Sequence, residues 1–203
     1  MKRLLYLCLL ALLPACEQQI APVKQVAYDP GAAGTVDHAM CLLGFTAVPL
    51  RELSTGHHLV DVTLNGRKAT FILDTGANLS VVHAPTARRL GLPEKGAPAG
   101  AFGLGGGMKA QQVKLESLVI GGVPIRGSRI MTSDLSQLVQ MLGTLSRSEI
   151  AGLIGQDVMK EHRAVVDVAR PILYLIPDDK APSPVPAERC RSGEGGVPGK
   201  AKA

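Results

Sequence analysis

Phe71-Ile72-Leu73-Asp74-Thr75-Gly76-Ala77 joins an apolar run to a carboxylate, a hydroxyl and a glycine. The apolar run suits a buried strand that holds the backbone, and Gly76 permits a tight turn straight after it. Turn amides next to the carboxylate can then hydrogen-bond its charged form. Asp-Thr-Gly also makes ordinary turns, so the flanking sequence has to decide what this one does.

Upstream, residues 58–64 alternate apolar and polar with Leu59 as the exception, and Asn65-Gly66 is a strong short hairpin signal. Residues 68–73 return as a second strand that runs directly into Asp74. Downstream, 79–82 is a third apolar run, and Pro85 opens a short helix over 86–90 that stops at Gly91. The stretch 100–107 is glycine-rich and lies between expected strands. Val113, Leu115, Leu118 and Ile120 read as strand, followed by a turn at Gly121-Gly122 and a strand over 123–130. Asp134 can cap a helix whose apolar positions are Leu135, Leu138, Val139, Leu142 and Leu145. Residues 151–154 read as a buried run, and 164–168 and 172–176 as a closing pair of strands around Arg170-Pro171.

The composition agrees with a β-rich domain. Hydrophobic residues make up 46% of the 203, enough for one sizeable core, while Gly 23 and Pro 14 against 3% aromatics favour turns and short strands. The net charge of +5 includes Lys2 and Arg3 at the extreme N-terminus. No basic stripe with interleaved aromatics occurs, which argues against nucleic-acid binding.

Lys2-Arg3 precedes the apolar run 4–13, a length that suits a signal-peptide core and is too short for a spanning helix. Leu13-Pro14-Ala15-Cys16 resembles a bacterial lipobox, in which cleavage precedes the cysteine and Cys16 is acylated. The alternative is an ordinary secretory cut near Ala15. Either way the protein is exported, and the lipobox reading makes it a periplasm-facing lipoprotein of the cell envelope, held to the membrane by its acyl chains. Cys8 leaves with the signal. Cys41 and Cys190 then remain in a compartment where disulfides persist, and can bridge within one chain or between two subunits. Neither has the neighbours of a metal site, and no cofactor is implied. The expected organisation is a signal over 1–15, a lipidated flexible tether over 16–45, one domain over 46–177 and a disordered tail over 178–203.

The Asp74 segment, the glycine-rich stretch and Ala151-Gly152-Leu153-Ile154-Gly155-Gln156-Asp157-Val158-Met159 together resemble the retropepsin-like aspartic proteases in motif, order and approximate spacing, over residues 55 to 177. The resemblance implies a mainly β, closed barrel-like acid protease lobe with short helices. It makes Asp74 the catalytic residue in an active-site loop with Thr75, Gly76 and Ala77, and implies that Thr75 hydrogen-bonds across a dimer axis to its own copy. Leu153, Ile154 and Gly155 would support that loop from beneath. Phe102, Gly103, Leu104, Gly105, Gly106 and Gly107 would form a mobile flap over the substrate. Read without the resemblance, those glycines suit a phosphate-cradling loop, but the Lys-Ser/Thr that should follow is missing.

Two departures from the family pattern carry expectations. Viral members commonly pair an Asp with an Arg at the positions of Asn78 and Gln156, so a Gln–Asn hydrogen bond is expected here. Ala77 stands where pepsin-like enzymes often carry a hydroxyl that would stabilise the ionised carboxylates, so activity is expected nearer neutral pH.

The chemistry needs two carboxylates that share one proton, one activating water and the other donating to the peptide carbonyl. Asp134, Asp157 and Asp167 lack the Thr/Ser-Gly that would make a second triplet. The expected enzyme is therefore a homodimeric endopeptidase acting on peptide or protein, with Asp74 contributed twice. The competing expectation is a peptide-binding or structural lipoprotein that keeps the fold without cleaving. His57-His58 reads as the surface start of a strand, His83 and His162 as element ends, and Ser80 and Ser148 lack a nucleophile-elbow context.

Overall fold

The computed structural model describes residues 27–103, 106–126, 130–146, 148–177 and 185–191. The chain opens with α1 (Val36–Leu42), β1 (Thr46–Pro49), β2 (Arg51–Glu52), β3 (His58–Leu64) and β4 (Arg67–Leu73). Next come β5 (Val81–His83), α2 (Ala84–Arg89), β6 (Glu94–Gly103), β7 (Gly106–Val113), β8 (Leu118–Ile120) and β9 (Val123–Ile125). It closes with β10 (Met131–Ser133), α3 (Ser136–Ser146), β11 (Ile150–Ile154), α4 (Gln156–Glu161), β12 (Val165–Asp167), β13 (Ile172–Leu175) and α5 (Ala187–Arg191). The leader 1–15, Cys16, the tether up to residue 26, Leu104 and Gly105, and most of the tail lie outside the described residues.

Turn chemistry sets the central register. Asn65 and Gly66 take φ of 46° and 79°, the left-handed pair of a tight hairpin, and place Leu64 opposite Arg67 and His58 opposite Leu73. The Asn65 Oδ1 also accepts the N–H groups of Glu116 and Ser117, tying this turn to the entry of β8. Along the main sheet the strands run β6-β7-β10-β5-β11-β4-β3-β8-β9, with β2 added beside β3. A β-rich lobe with short helices is therefore present, as expected, but its sheet is not a closed barrel. Among the described residues β6 and β9 stand at opposite ends of the pairing order and do not meet.

The sheet buries both of its faces near the centre. Val60, Val62, Leu64, Phe71 and Leu73 enter the larger core, while Leu59 and Ile72 point into a second cluster with Leu135, Leu142 and Leu153. That second cluster explains why Leu59 breaks the alternation: the helix α3 covers the face it points to. On α3 itself only part of the expected stripe is buried, with Leu142 inside and Leu145 exposed.

A separate three-stranded sheet, β1-β13-β12, joins the two ends of the fold. Its inner residues Val48, Leu173 and Leu175 belong to the large core, and its outer residues Ala47, Ile172 and Tyr174 pack with Phe45, Ile176 and partly buried Met40 of α1. Cys41 of α1 and Cys190 of α5 form a disulfide within the chain, and both are buried. Two expectations are corrected here. The segment assigned to a flexible tether ends in helix α1, and the tail assigned to disorder contains α5. The bridge and the apolar cover over sheet β1-β13-β12 hold both in place.

Beside the disulfide, buried Asp37 accepts from the Tyr174 hydroxyl and the Asp29 N–H (2.9 Å) and pairs with Arg170 (3.0 Å), which also binds Asp167 (2.7 Å). Burial pushes the Asp37 carboxyl upward, but the Asp29 amide, the Tyr174 hydroxyl and the Arg170 guanidinium together hold it below its ordinary value of 3.8. A depressed carboxyl contributes stability above its unfolded pKa and loses it as pH falls through the lower folded value. Asp37→Asn is therefore expected to cost about 3 kcal/mol at neutral pH. It should also flatten the decline in melting temperature between about pH 5 and pH 2. Parallel melting curves for the two proteins would contradict this.

Candidate active site

Three strands converge on the Asp74 loop. β4 leads into it, β5 leads out of it, and β11 lies between them, parallel to β4 (Ile72 beside Leu153, Leu73 beside Ile154) and antiparallel to β5 (Leu153 beside Val81). A loop leaving one strand and rejoining the sheet two places away must cross the end of the strand between. This one crosses the C-terminal end of β11, so Leu153, Ile154 and Gly155 lie beneath the loop, and Leu153 and Ile154 are buried there.

Specific bonds fasten the loop to that support. The Asp74 N–H donates to the Ile154 carbonyl (2.9 Å), and the Gln156 N–H donates to the Ala77 carbonyl (2.8 Å). Within the loop the Gly76 N–H donates to Asp74 Oδ1 (2.9 Å), and the Ala77 N–H reaches the Asp74 carbonyl (3.3 Å). Asp74 is half-buried while Thr75 and Gly76 are exposed, so the carboxylate stands at the surface with one oxygen oriented by the turn. Gly155 permits the close crossing. A Cβ there would sit 2.6 Å from the Leu79 carbonyl oxygen and 2.8 Å from that of Ala77.

The expected Gln156–Asn78 contact does not form. Gln156 Nε2 donates instead to the backbone carbonyl of Thr75 (2.7 Å), and Asn78 is exposed. A carbonyl fixed by the turn offers Gln156 an acceptor at lower entropic cost than a second mobile side chain would. The side-chain brace across these two segments is made by Ser80 and Asp157. Asp157 accepts from both the N–H (3.0 Å) and the hydroxyl (2.7 Å) of Ser80, whose Oγ accepts from the Gly155 N–H (2.9 Å). Ser80 is fully buried and its hydroxyl is committed, so it has no freedom to act as a nucleophile. Sequence reading missed this pair. The two residues are 77 positions apart, and nothing local marks either one.

The glycine-rich segment is an antiparallel hairpin of β6 and β7, with Phe102 opposite Gly107 and Gly103 opposite Gly106. Its tip, Leu104 and Gly105, lies outside the described residues. His83 ends β5 and accepts the Leu135 N–H at Nδ1 (3.1 Å). His162 follows α4, fully buried, with its ring between the Ile176 carbonyl (2.8 Å) and the Arg126 N–H (3.3 Å). Both are structural element ends, as the sequence suggested.

Asp74 and Thr75 open onto a cleft of about 390 Å³. Leu73, Glu52, His57 and His58 line it too, and Val166 and Val168 of the β12 end form part of its wall. Val168 is 67% exposed, an apolar residue left in water beside the Asp74 carboxylate.

Residues 60–158, just under half of the chain, match the family described as aspartyl protease. The resemblance to retropepsin-like aspartic proteases read from the sequence is thus found again in the segment that holds both Asp74 and its support. The search of the curated proteins returned no match. Similar solved structures include the following two. One is a retropepsin-like aspartic protease from Rickettsia conorii, 19% identical, covering 64% of this chain and 98% of that one with a TM-score of 0.46. The other is the EIAV protease complexed with the inhibitor HBY-793, 20% identical, covering 54% of this chain and 90% of that one with a TM-score of 0.41.

Proposed function

We propose that this protein is an aspartic endopeptidase whose active site is assembled from the Asp74 carboxylates of two identical chains. The observation that carries the reading is the Asp74 loop itself: an intact Asp-Thr-Gly turn, fastened from below by the 153–156 segment, that holds a half-buried carboxylate at the surface with no second Asp-Thr-Gly turn beside it. A single carboxylate of this kind lacks the proton-sharing partner that water activation and carbonyl protonation require. A second copy related by a two-fold axis supplies it, and the exposure of Thr75 and of Val168 beside Asp74 is consistent with a surface awaiting such a copy.

In the assembled site the ionised carboxylate accepts a proton from water as the oxygen attacks the scissile carbonyl. The protonated one donates to the carbonyl oxygen. The β6–β7 hairpin is the segment suited to close over the bound peptide. Export through the N-terminal leader, with Cys16 as an acylated anchor, would place this activity at the periplasmic face of a bacterial envelope.

Peptide cleavage measured across a dilution series alongside sedimentation tests the assembly. Specific activity is expected to fall in step with the dimer fraction. Undiminished turnover by a strict monomer would overturn it.

A further inference from the structure

Another cavity, about 640 Å³, does not include Asp74 in its lining, and several of its polar side chains are already engaged: Asp61 and Thr70 accept from Arg51, and Glu149 accepts from Thr86 and Arg89. The Asp74 cleft is different. His58 lines it, and its Nε2 is the one buried side-chain nitrogen or oxygen among the described residues without a hydrogen-bond partner. A buried polar atom without a partner needs an explanation, and on a residue that lines a cleft beside a candidate catalytic group a ligand supplies one once the ring turns toward it.

The surroundings define that ligand. β2 pairs with β3 so that Glu52 lies directly opposite His58, and His58 in turn lies opposite Leu73, the residue before Asp74. Glu52, His57, His58 and Asp74 line one cleft with Val166 and Val168, and no lysine or arginine is among its lining residues. Two carboxylates facing a small cleft hold it at negative potential. Val166 and Val168 offer a wall for a methylene stem, and an imidazole nitrogen and Glu52 offer acceptors for the group at its end. These four titratable groups do not converge as a metal-ligand set.

We infer that Glu52 and His58 select the substrate, accepting a peptide side chain that ends in N–H donors, a lysine, arginine or glutamine, close to the scissile bond. The inference rests on the reading of Asp74 as catalytic. With its ring turned into the cleft, His58 Nε2 takes one donor of the head group, and Glu52 takes the charge when there is one. An acidic side chain at the same position meets two carboxylates and is rejected.

The test uses peptides that differ only at one residue on either side of the cleaved bond, carrying Lys, Gln, norleucine or Glu. Ratios of kcat/KM are compared, so that any loss of folded enzyme in a variant cancels. The wild type is expected to favour Lys over Glu at one of these positions by about tenfold or more, the value of one hydrogen bond to a charged group. Glu52→Gln should collapse the Lys/Glu ratio. His58→Leu should collapse the Gln/norleucine ratio, while His58→Gln, which keeps a polar group at the same reach, should retain it. A wild type that prefers Glu, or variants whose ratios match the wild type, would overturn the inference. Asp74→Asn run beside them separates the two readings. If it is inactive and the ratios do not move, only the specificity assignment fails. If it still cleaves, the catalytic reading fails with it.

Discussion

Asp74→Asn is expected to lose peptide cleavage by at least about three orders of magnitude while melting within a degree or two of the wild type. The activity loss follows from the chemistry. An amide cannot accept the proton of the attacking water, and two amides facing each other cannot hold the shared proton that protonates the substrate carbonyl. The unchanged melting point follows from the contacts. Among the described residues the one side-chain bond that fastens Asp74 is the one its Oδ1 accepts from the Gly76 N–H, and an asparagine oxygen can accept it too. The backbone anchor, the residue 74 N–H to the Ile154 carbonyl, does not depend on the side chain. A folded, dimeric wild type as inactive as the variant would mark the protein as a peptide binder.

Gly152→Ala and Gly155→Ala should differ in a way that separates fold from site. At Gly152, where β4, β11 and β5 meet, a Cβ would lie 2.1 Å from the Val81 carbonyl oxygen and 2.7 Å from the Phe71 ring. Backbone on one side and the buried core on the other leave nothing that can yield cheaply. Gly152→Ala is therefore expected to cost more than about 3 kcal/mol, the upper end of overpacking, and to lower soluble yield. At Gly155 the clashes fall on the Leu79 and Ala77 carbonyls, which belong to the loop carrying Asp74. The φ of −104° suits any residue, so the effect there is steric alone. Lifting that loop by a fraction of an ångström should leave a folded protein with activity reduced about a hundredfold. Equal stabilities for the two variants, read by chemical denaturation, would contradict the assignment of one glycine to the core and the other to the loop.

What was legible in the chain was mostly local. Asn65-Gly66 announced its hairpin because few other residues take two successive positive φ values, and Gly91 ended α2 at a φ of 63° for the same reason. The buried run 151–154 and the Asp-Thr-Gly turn could be paired because both are short, apolar and glycine-punctuated. The features that went unread depend on distant partners. Leu59 makes sense only once α3 covers its face. α5 is five residues in a proline- and glycine-rich tail, ordered by a disulfide to a helix 149 positions away. Asn78 and Gln156 were matched by family pattern, but the Gln156 amide found a backbone carbonyl, and the long-range brace fell to Ser80 and Asp157. His57-His58 read as a surface strand start, and the half-burial of His58 beside Asp74 appears only when β2, β3 and β4 are laid side by side.

The central claim is that Asp74 is half of a site, and subunit mixing tests it most directly. Wild type and Asp74→Asn are combined at constant total protein and allowed to exchange subunits, and cleavage is followed as the wild-type fraction falls. If two wild-type copies are needed, activity falls as the square of that fraction, to about a quarter at equal proportions. A linear fall, to about half at equal proportions after demonstrated exchange, would show that each chain works with its own Asp74 and would contradict the account.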